Sequence, residues 1–344
     1  MRPALRHVLT HLLTPLLMCL GMGLAYLGAF ADPSPHHLPV AVVGSGPRAQ
    51  VLAQSIEEKA GQGRLEVRTV ASRAEAVHQL QRQQVFGAYV PDRRAPELLT
   101  ASAGSDTTAS VVQKVFAPVA ARQQAPLKVT DVVPPAGHDP TGQGIFFLLV
   151  ALSIGSYASV AVIGGAGAAL PMRIRALLAA ATSLVVSLIG VMLAKPVFHL
   201  VDHGLWGVWG MAWLYSAGVL LIGTGLHTFL KRWTTLGLMV LFVMLNFTSS
   251  GGVFRPEMQS GFFAALHSFW NGAGFVEGVR SLVYFGHAGL SGHLWTLGLW
   301  LLAGLVAVAL AWGVESRRTG VTAPAAEAAE SEEAEEEMAE AVGV

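Results

Sequence analysis

Three clusters in this sequence have the residue types and spacing to do chemistry. Gly44-Ser45-Gly46-Pro47-Arg48-Ala49 follows an apolar run and opens a helical one, in the GxGxxA form of a dinucleotide-binding turn. That chemistry also needs an acidic residue closing the second strand, to hold a ribose hydroxyl. Here Val70 is followed by Ala71, Ser72 and Arg73, and Glu66 lies near the strand's start, so the glycines read as a tight strand-to-helix turn. His199, Asp202 and His203 have i, i+3, i+4 spacing, which on a helix would turn three ligands to one face. No glutamate accompanies the pair as in HExxH and no further ligand is near, which favours a polar interfacial loop. The third cluster, Asn246-Phe247-Thr248-Ser249-Ser250-Gly251-Gly252-Val253-Phe254-Arg255-Pro256-Glu257, interrupts an apolar helix with polar and glycine residues. Beyond it, Gly261 to Tyr284 is apolar and helical again, with Glu277 and Arg280 one turn apart and able to pair.

Other chemistries are excluded by what the sequence lacks. No GxxxxGK[ST] phosphate loop occurs, so ATP-driven work requires a separate subunit. Ser156 and His227 fall toward opposite ends of their apolar segments, and no nucleophile and base, metal cluster or intramembrane acid relay is evident. Cys19, alone in an apolar run, can form no internal disulfide. We therefore expect no catalytic residue, no metal and no cofactor. Lys and Arg are scattered rather than interleaved with exposed aromatics, which argues against nucleic acid as a partner.

The elements that position these clusters follow from composition. Of 344 residues, 53% are hydrophobic and 13% charged, and the mean hydropathy is +0.52, which marks a membrane protein. A helix crosses a bilayer with about 20 apolar residues. Six segments fit, at 8–30, 143–165, 173–195, 205–227, 234–250 and 293–314. Between Thr141 and Trp312 only ten residues are charged, and all lie at segment ends or in loops. Basic residues at Arg2, Arg6, Arg173, Arg175, Lys231, Arg232, Arg317 and Arg318 all fall on one side of a six-span arrangement. By the positive-inside rule this places both termini in the cytoplasm of a multi-pass plasma-membrane protein and residues 31–142 outside. Ala29-Phe30-Ala31 also has the form of a signal-peptide cleavage site, but the apolar run before it is longer than a signal core, so an uncleaved anchor at 1–30 is expected.

Residues 31–142 change character. LPVAVV (Leu38 to Val43), LEVRTV (Leu65 to Val70) and FGAYV (Phe86 to Val90) read as strands, with further strands near 98–102 and 127–132. Helical runs at 47–59, 73–83 and 107–122 alternate with them, which implies an α/β domain with a largely parallel sheet. The stretch to 318 is a five-helix membrane domain, with re-entrant or interfacial helices over about 246–285 because the polar break there must be buried in protein or line a cavity. The tail, 319–344, holds eight Glu between Glu327 and Glu340 and too few large apolar residues for a core, so it reads as a disordered cytoplasmic segment. The fold class expected is an α-helical polytopic membrane protein of six transmembrane helices, with an extracytoplasmic α/β domain inserted between helices one and two.

At NFTSSGGVFRPEMQSGFFAALHSFW, and in the order of first span, outer domain and five-span bundle, the chain resembles the membrane subunits of type 2 ABC exporters, in the YhgE/Pip (phage infection protein) branch. The family pattern is Asn-x-x-Ser-Gly-Gly, then Pro-x-Glu, then Gly-Phe-Phe and Leu-His before the last span. The resemblance implies a permease half that dimerises, is powered by a separate cytoplasmic ATP-binding subunit and exports a hydrophobic or amphipathic substrate. It implies that Asn246, Ser250, Gly251, Gly252, Pro256 and Glu257 shape a re-entrant turn on the substrate pathway. Glu277 and Arg280 would pair on the following outer helix, and the turn bearing Arg173 and Arg175 would meet the ATPase. In one respect the sequence departs from many such exporters: about seven residues precede the first span, too few for an amphipathic connecting helix. An unpowered envelope receptor or scaffold, binding through the outer domain, is the alternative.

Overall fold

A computed structural model describes residues 3–122 and 124–342, with side chains described over 5–317 except at positions 6, 7, 10, 11, 123 and 232. The acidic-tail side chains, and the basic residues at 2, 6, 232 and 318 used for orientation, lie outside the described residues.

The chain begins with a long apolar helix, α1 (Pro3–Phe30). Residues 38–131 then form a five-stranded sheet in the order β2-β1-β3-β4-β5, from β1 (Leu38–Val43), β2 (Leu65–Val70), β3 (Ala88–Val90), β4 (Glu97–Thr100) and β5 (Lys128–Asp131). LPVAVV is apolar throughout because β1 has a strand on each side and packing on both faces. On one face α2 (Pro47–Ala60) and α4 (Asp106–Arg122) share a core with Leu38, Val40 and Tyr89; on the other, α3 (Arg73–Gln81) covers Ala41, Val70 and Leu99. The sheet is largely parallel, as expected, and only the pairing of β3 with β4 is antiparallel. A parallel crossover needs about a dozen residues, and the link from Val90 to Glu97 is too short for one. It turns instead at Asp92, whose Oδ1 accepts from the backbone N–H groups of Arg94 (2.7 Å) and Ala95 (3.0 Å).

After the sheet the chain enters a helical bundle. Asp139 is buried where α5 (Gly144–Gly165) begins, and its carboxylate accepts from the N–H groups of Gln143 and Gly144 at 3.2 and 2.8 Å, so an acidic side chain meets the positive end of the helix. α6 (Met172–Met192), continued by a π turn, α7 (Leu205–Leu230) and the apolar part of α12 (Leu290–Val342) complete the long helices. Among the described residues, five helices are long and apolar enough to cross a membrane: Leu12–Phe30, Gly144–Gly165, Met172–Val197, Leu205–Leu230 and Leu290–Arg317. α7 is the central one. A Cβ at Gly225 would lie 2.6 Å from the Ala307 backbone and one at Gly304 2.9 Å from the Leu221 side chain, so α7 and α12 approach as closely as their glycines allow.

The segment expected as the fifth span falls short. Thr234–Ser249 is a helix with a π turn in its middle, α8 (Thr234–Met239), the π turn and α9 (Leu245–Ser249), about 24 Å long against a hydrocarbon core of about 30 Å. It ends where Thr248, Ser249 and Ser250 fold their hydroxyls back onto the carbonyls of Met244, Leu245 and Phe247. The chain returns through α10 (Gly261–His267) and α11 (Asn271–Val283), and α11 is buried along nearly its whole length against α5, α7 and α12.

Candidate functional site

The interrupted segment closes on itself around one carboxylate. Glu277 on α11 is buried, and its Oε1 accepts from Arg280 Nη1 at 3.0 Å while its Oε2 accepts from Arg255 Nη1 at 2.5 Å. Side-chain exposures of 3%, 1% and 8% for Glu277, Arg280 and Arg255 leave water almost no part in this arrangement. Burial opposes ionisation of the Glu277 carboxyl, but the Arg255 and Arg280 charges outweigh it and hold it below the usual carboxylate range. Arg280 also donates to the turn, Nη1 to Gly251 O (2.8 Å) and Nη2 to Gly252 O (3.2 Å). The guanidinium fork therefore satisfies two successive carbonyls that no helix or strand provides for.

Both glycines are required by that geometry. Gly251 has φ +75°, and a Cβ there would stand 2.7 Å from the His267 ring and 2.9 Å from Glu277 Oε1. A Cβ at Gly252 would strike the Phe146 ring. Ser250 locks the same corner, its Oγ donating to Phe247 O and accepting from the Gly252 N–H. His267 hydrogen-bonds Ser249 O through Nδ1 at 2.9 Å, a contact in which the ring nitrogen must be the donor, and burial pushes the imidazole below its ordinary range. Gln259 Nε2 reaches back to Thr248 O at 2.7 Å.

Arg255 carries the cluster into the sheet region. Its Nη1 also donates to Gln83 Oε1 (3.1 Å), just after α3, and its guanidinium lies 4.8 Å from the Phe86 ring centroid. Nearby, Glu257 O accepts from the His36 N–H at 2.7 Å, and Thr107 Oγ1 donates to Val253 O at 2.7 Å. Met258, in the short turn begun by Pro256, is buried in the core under β1 and α2, and Phe254 packs on it. The break in the fifth apolar segment is thus the joint between bundle and sheet.

Most of the residues predicted for this turn are in it. Ser250, Gly251, Gly252, Pro256, Glu277 and Arg280 lie within it or bond it, while Glu257 faces Arg255 at 3.8 Å and contributes mainly its backbone. Asn246 does not shape the turn. It sits earlier, in α9, donating to Tyr215 Oη (2.8 Å) and Ser153 Oγ (3.4 Å) inside the bundle, with the Tyr215 and Ser153 hydroxyls 2.6 Å apart. Arg175, expected to meet a partner ATPase, is turned inward: it is buried, bonds Leu170 O and pairs with Glu315 on α12, which also accepts from Thr228. Of the two arginines in that turn, Arg173 is the exposed one. Arg255, Gln83 and His267 were not predicted, because nothing local in the sequence marks partners tens of residues apart.

The two remaining clusters lie away from this joint. Gly44 (φ +144°) lets the Ala49 methyl come close, a tight strand-to-helix turn. His199 to His203 are not helical, so the spacing that would have aligned three ligands does not apply. No group of three potential metal ligands occurs among the described residues. Comparison with protein-family models, curated proteins and solved structures finds no match to this chain.

Proposed function

We propose that the chain is the membrane-spanning permease subunit of an exporter, working as a homodimer or with a related half and driven by a separate ATP-binding subunit, with a hydrophobic or amphipathic compound as cargo. One observation carries this reading: a broken helix held inside the bundle by the Glu277, Arg255 and Arg280 cluster and joined through Arg255 to the sheet. Interrupted backbone at membrane depth is tolerated where it is enclosed by protein or lines a cavity, the arrangement that a transport path uses. Around it the bundle interior is studded with hydroxyls and amides, among them Ser153, Ser156, Ser216, Thr224 and Asn246, which fit a path able to pass polar headgroups. α1 offers Leu16, Leu20, Leu24 and Leu27 at 60–68% exposure, a face suited to lipid or to a second protomer. The resemblance of NFTSSGGVFRPEMQSGFFAALHSFW to type 2 ABC exporters points the same way, and Arg173 remains the exposed basic residue for a partner at the turn after α5.

The test is purification of the tagged chain in mild detergent from its own host, with mass spectrometry of its partners and an ATPase assay on the eluate. A stoichiometric subunit bearing a phosphate loop, whose hydrolysis stops when its phosphate-loop lysine is replaced, is the expected outcome. A complex with no ATPase, from cells that express the candidates, would overturn energised export in favour of an envelope receptor or scaffold.

A further inference from the structure

Away from the joint, the sheet region carries a groove whose chemistry the bundle does not explain. α2 and α4 lie on one face of the sheet and send Ala53, Ile56, Val112 and Phe116 into a common core. Their facing flanks leave a groove of about 620 Å³ between them, floored by Leu52, Leu65, Val111, Val115 and Val119. That volume lies within the range of about 300–1,000 Å³ typical of small-molecule sites. Lys59, Arg64, Lys114 and Arg122 border it, all four exposed, and no carboxylate lines it. Among the described residues none of these four cations has an acidic partner, whereas Arg68, Arg73 and Lys128 of the same region each have one.

An apolar trough edged with uncompensated positive charge selects by both halves of its chemistry. The floor takes a hydrocarbon chain and the rim takes an anion. No aromatic side chain lines the groove, so a nucleotide, whose base would seek a stacking partner, suits it poorly. We propose that this groove binds a single-chain anionic amphipath of the long-chain fatty-acid class, its chain along the α2–α4 floor and its headgroup against the Lys and Arg rim. The proposal stands on the sheet region alone and holds whether or not the bundle transports.

The full chain in phosphatidylcholine nanodiscs, titrated with 11-(dansylamino)undecanoic acid against empty discs, tests it. Saturable binding is expected, displaced by oleate and not by oleyl alcohol. The Lys59→Glu/Lys114→Glu double variant should bind about tenfold more weakly, the loss of one charge-assisted contact, with an unchanged melting temperature. Val115→Trp, which fills the floor and keeps every charge, should weaken binding comparably. Equal displacement by the alcohol, or full affinity in both variants, would overturn the proposal. So would absence of probe binding together with charge-dependent attachment to phosphatidylglycerol vesicles, since the cations would then serve a membrane surface.

Discussion

Two glutamates in this molecule hold the same position in two different media. Glu97, on β4, accepts from Arg73 at 2.9 and 3.1 Å and from Thr130 at 2.7 Å, with Lys128 at 3.9 Å. Glu277 is held between Arg255 and Arg280. Both carboxyls are held below the ordinary carboxylate range, Glu97 at about 2 chiefly through its hydrogen bond from Arg73 and Glu277 because paired charges overcome burial. Yet Arg73 is 49% exposed and Arg280 1%. Water can reach Arg73 where it meets Glu97 at the start of β4 but almost nothing at the joint, so the same downward pull on two carboxyls conceals unequal stakes.

That contrast sets the order of the expected effects. Glu277→Gln strands two buried guanidiniums and should destabilise the protein by about 3–5 kcal/mol, read as a large fall in thermal midpoint in detergent; a change below 1 kcal/mol would erase the distinction between the sites. Gly251→Ala forces a side chain into a left-handed backbone and against His267 and Glu277, for a loss of about 1–3 kcal/mol. Gly165→Ala, where a Cβ meets nothing within 4 Å, is its near-neutral control in the same assay. Tyr215→Phe takes the acceptor from Asn246 inside the bundle and should cost about 1–3 kcal/mol, with Ser153→Ala added to ask whether the two losses are coupled. Arg73→Ala should change stability by no more than about 1 kcal/mol, and less at high salt.

The pH dependence of that last variant sharpens the comparison. Because the folded pKa of Glu97 is depressed, its contribution is present above the ordinary carboxyl range and is lost as pH falls from about 4.5 toward 2. The difference in midpoint between wild type and Arg73→Ala should therefore shrink through that window. A difference that stays constant to pH 2 would mean that Arg73 acts through packing alone.

What was legible in the sequence divides along the same line. Long apolar runs and period-two strands are local signals, and LPVAVV, LEVRTV and the five long apolar helices are found where they were read. The Glu277 and Arg280 pair was equally visible, being three residues apart on a helix. The antiparallel β4 was implicit in a short link whose consequence was not drawn. The third member of the cluster, Arg255, lies 22 residues from Glu277, and the Arg175 to Glu315 pair spans 140. No propensity or periodicity reports contacts at such separations. The fifth apolar segment is found where its composition places it, at Thr234–Ser249, but the hydroxyls that end it bond carbonyls inside the protein, which composition does not report.

Met258 gives the molecule an order of assembly. A core residue of the sheet region, it is translated only after β1 to β5, after α5 to α7 and after the interrupted helix Thr234–Ser249 that must itself enter the bundle. A ribosome that has released the whole sheet has therefore not yet supplied everything the sheet buries. The sheet region reaches its final packing late, when the joint folds back to it, and a chain whose bundle fails to assemble should expose the vacancy under β1 to proteases even though every strand has been made.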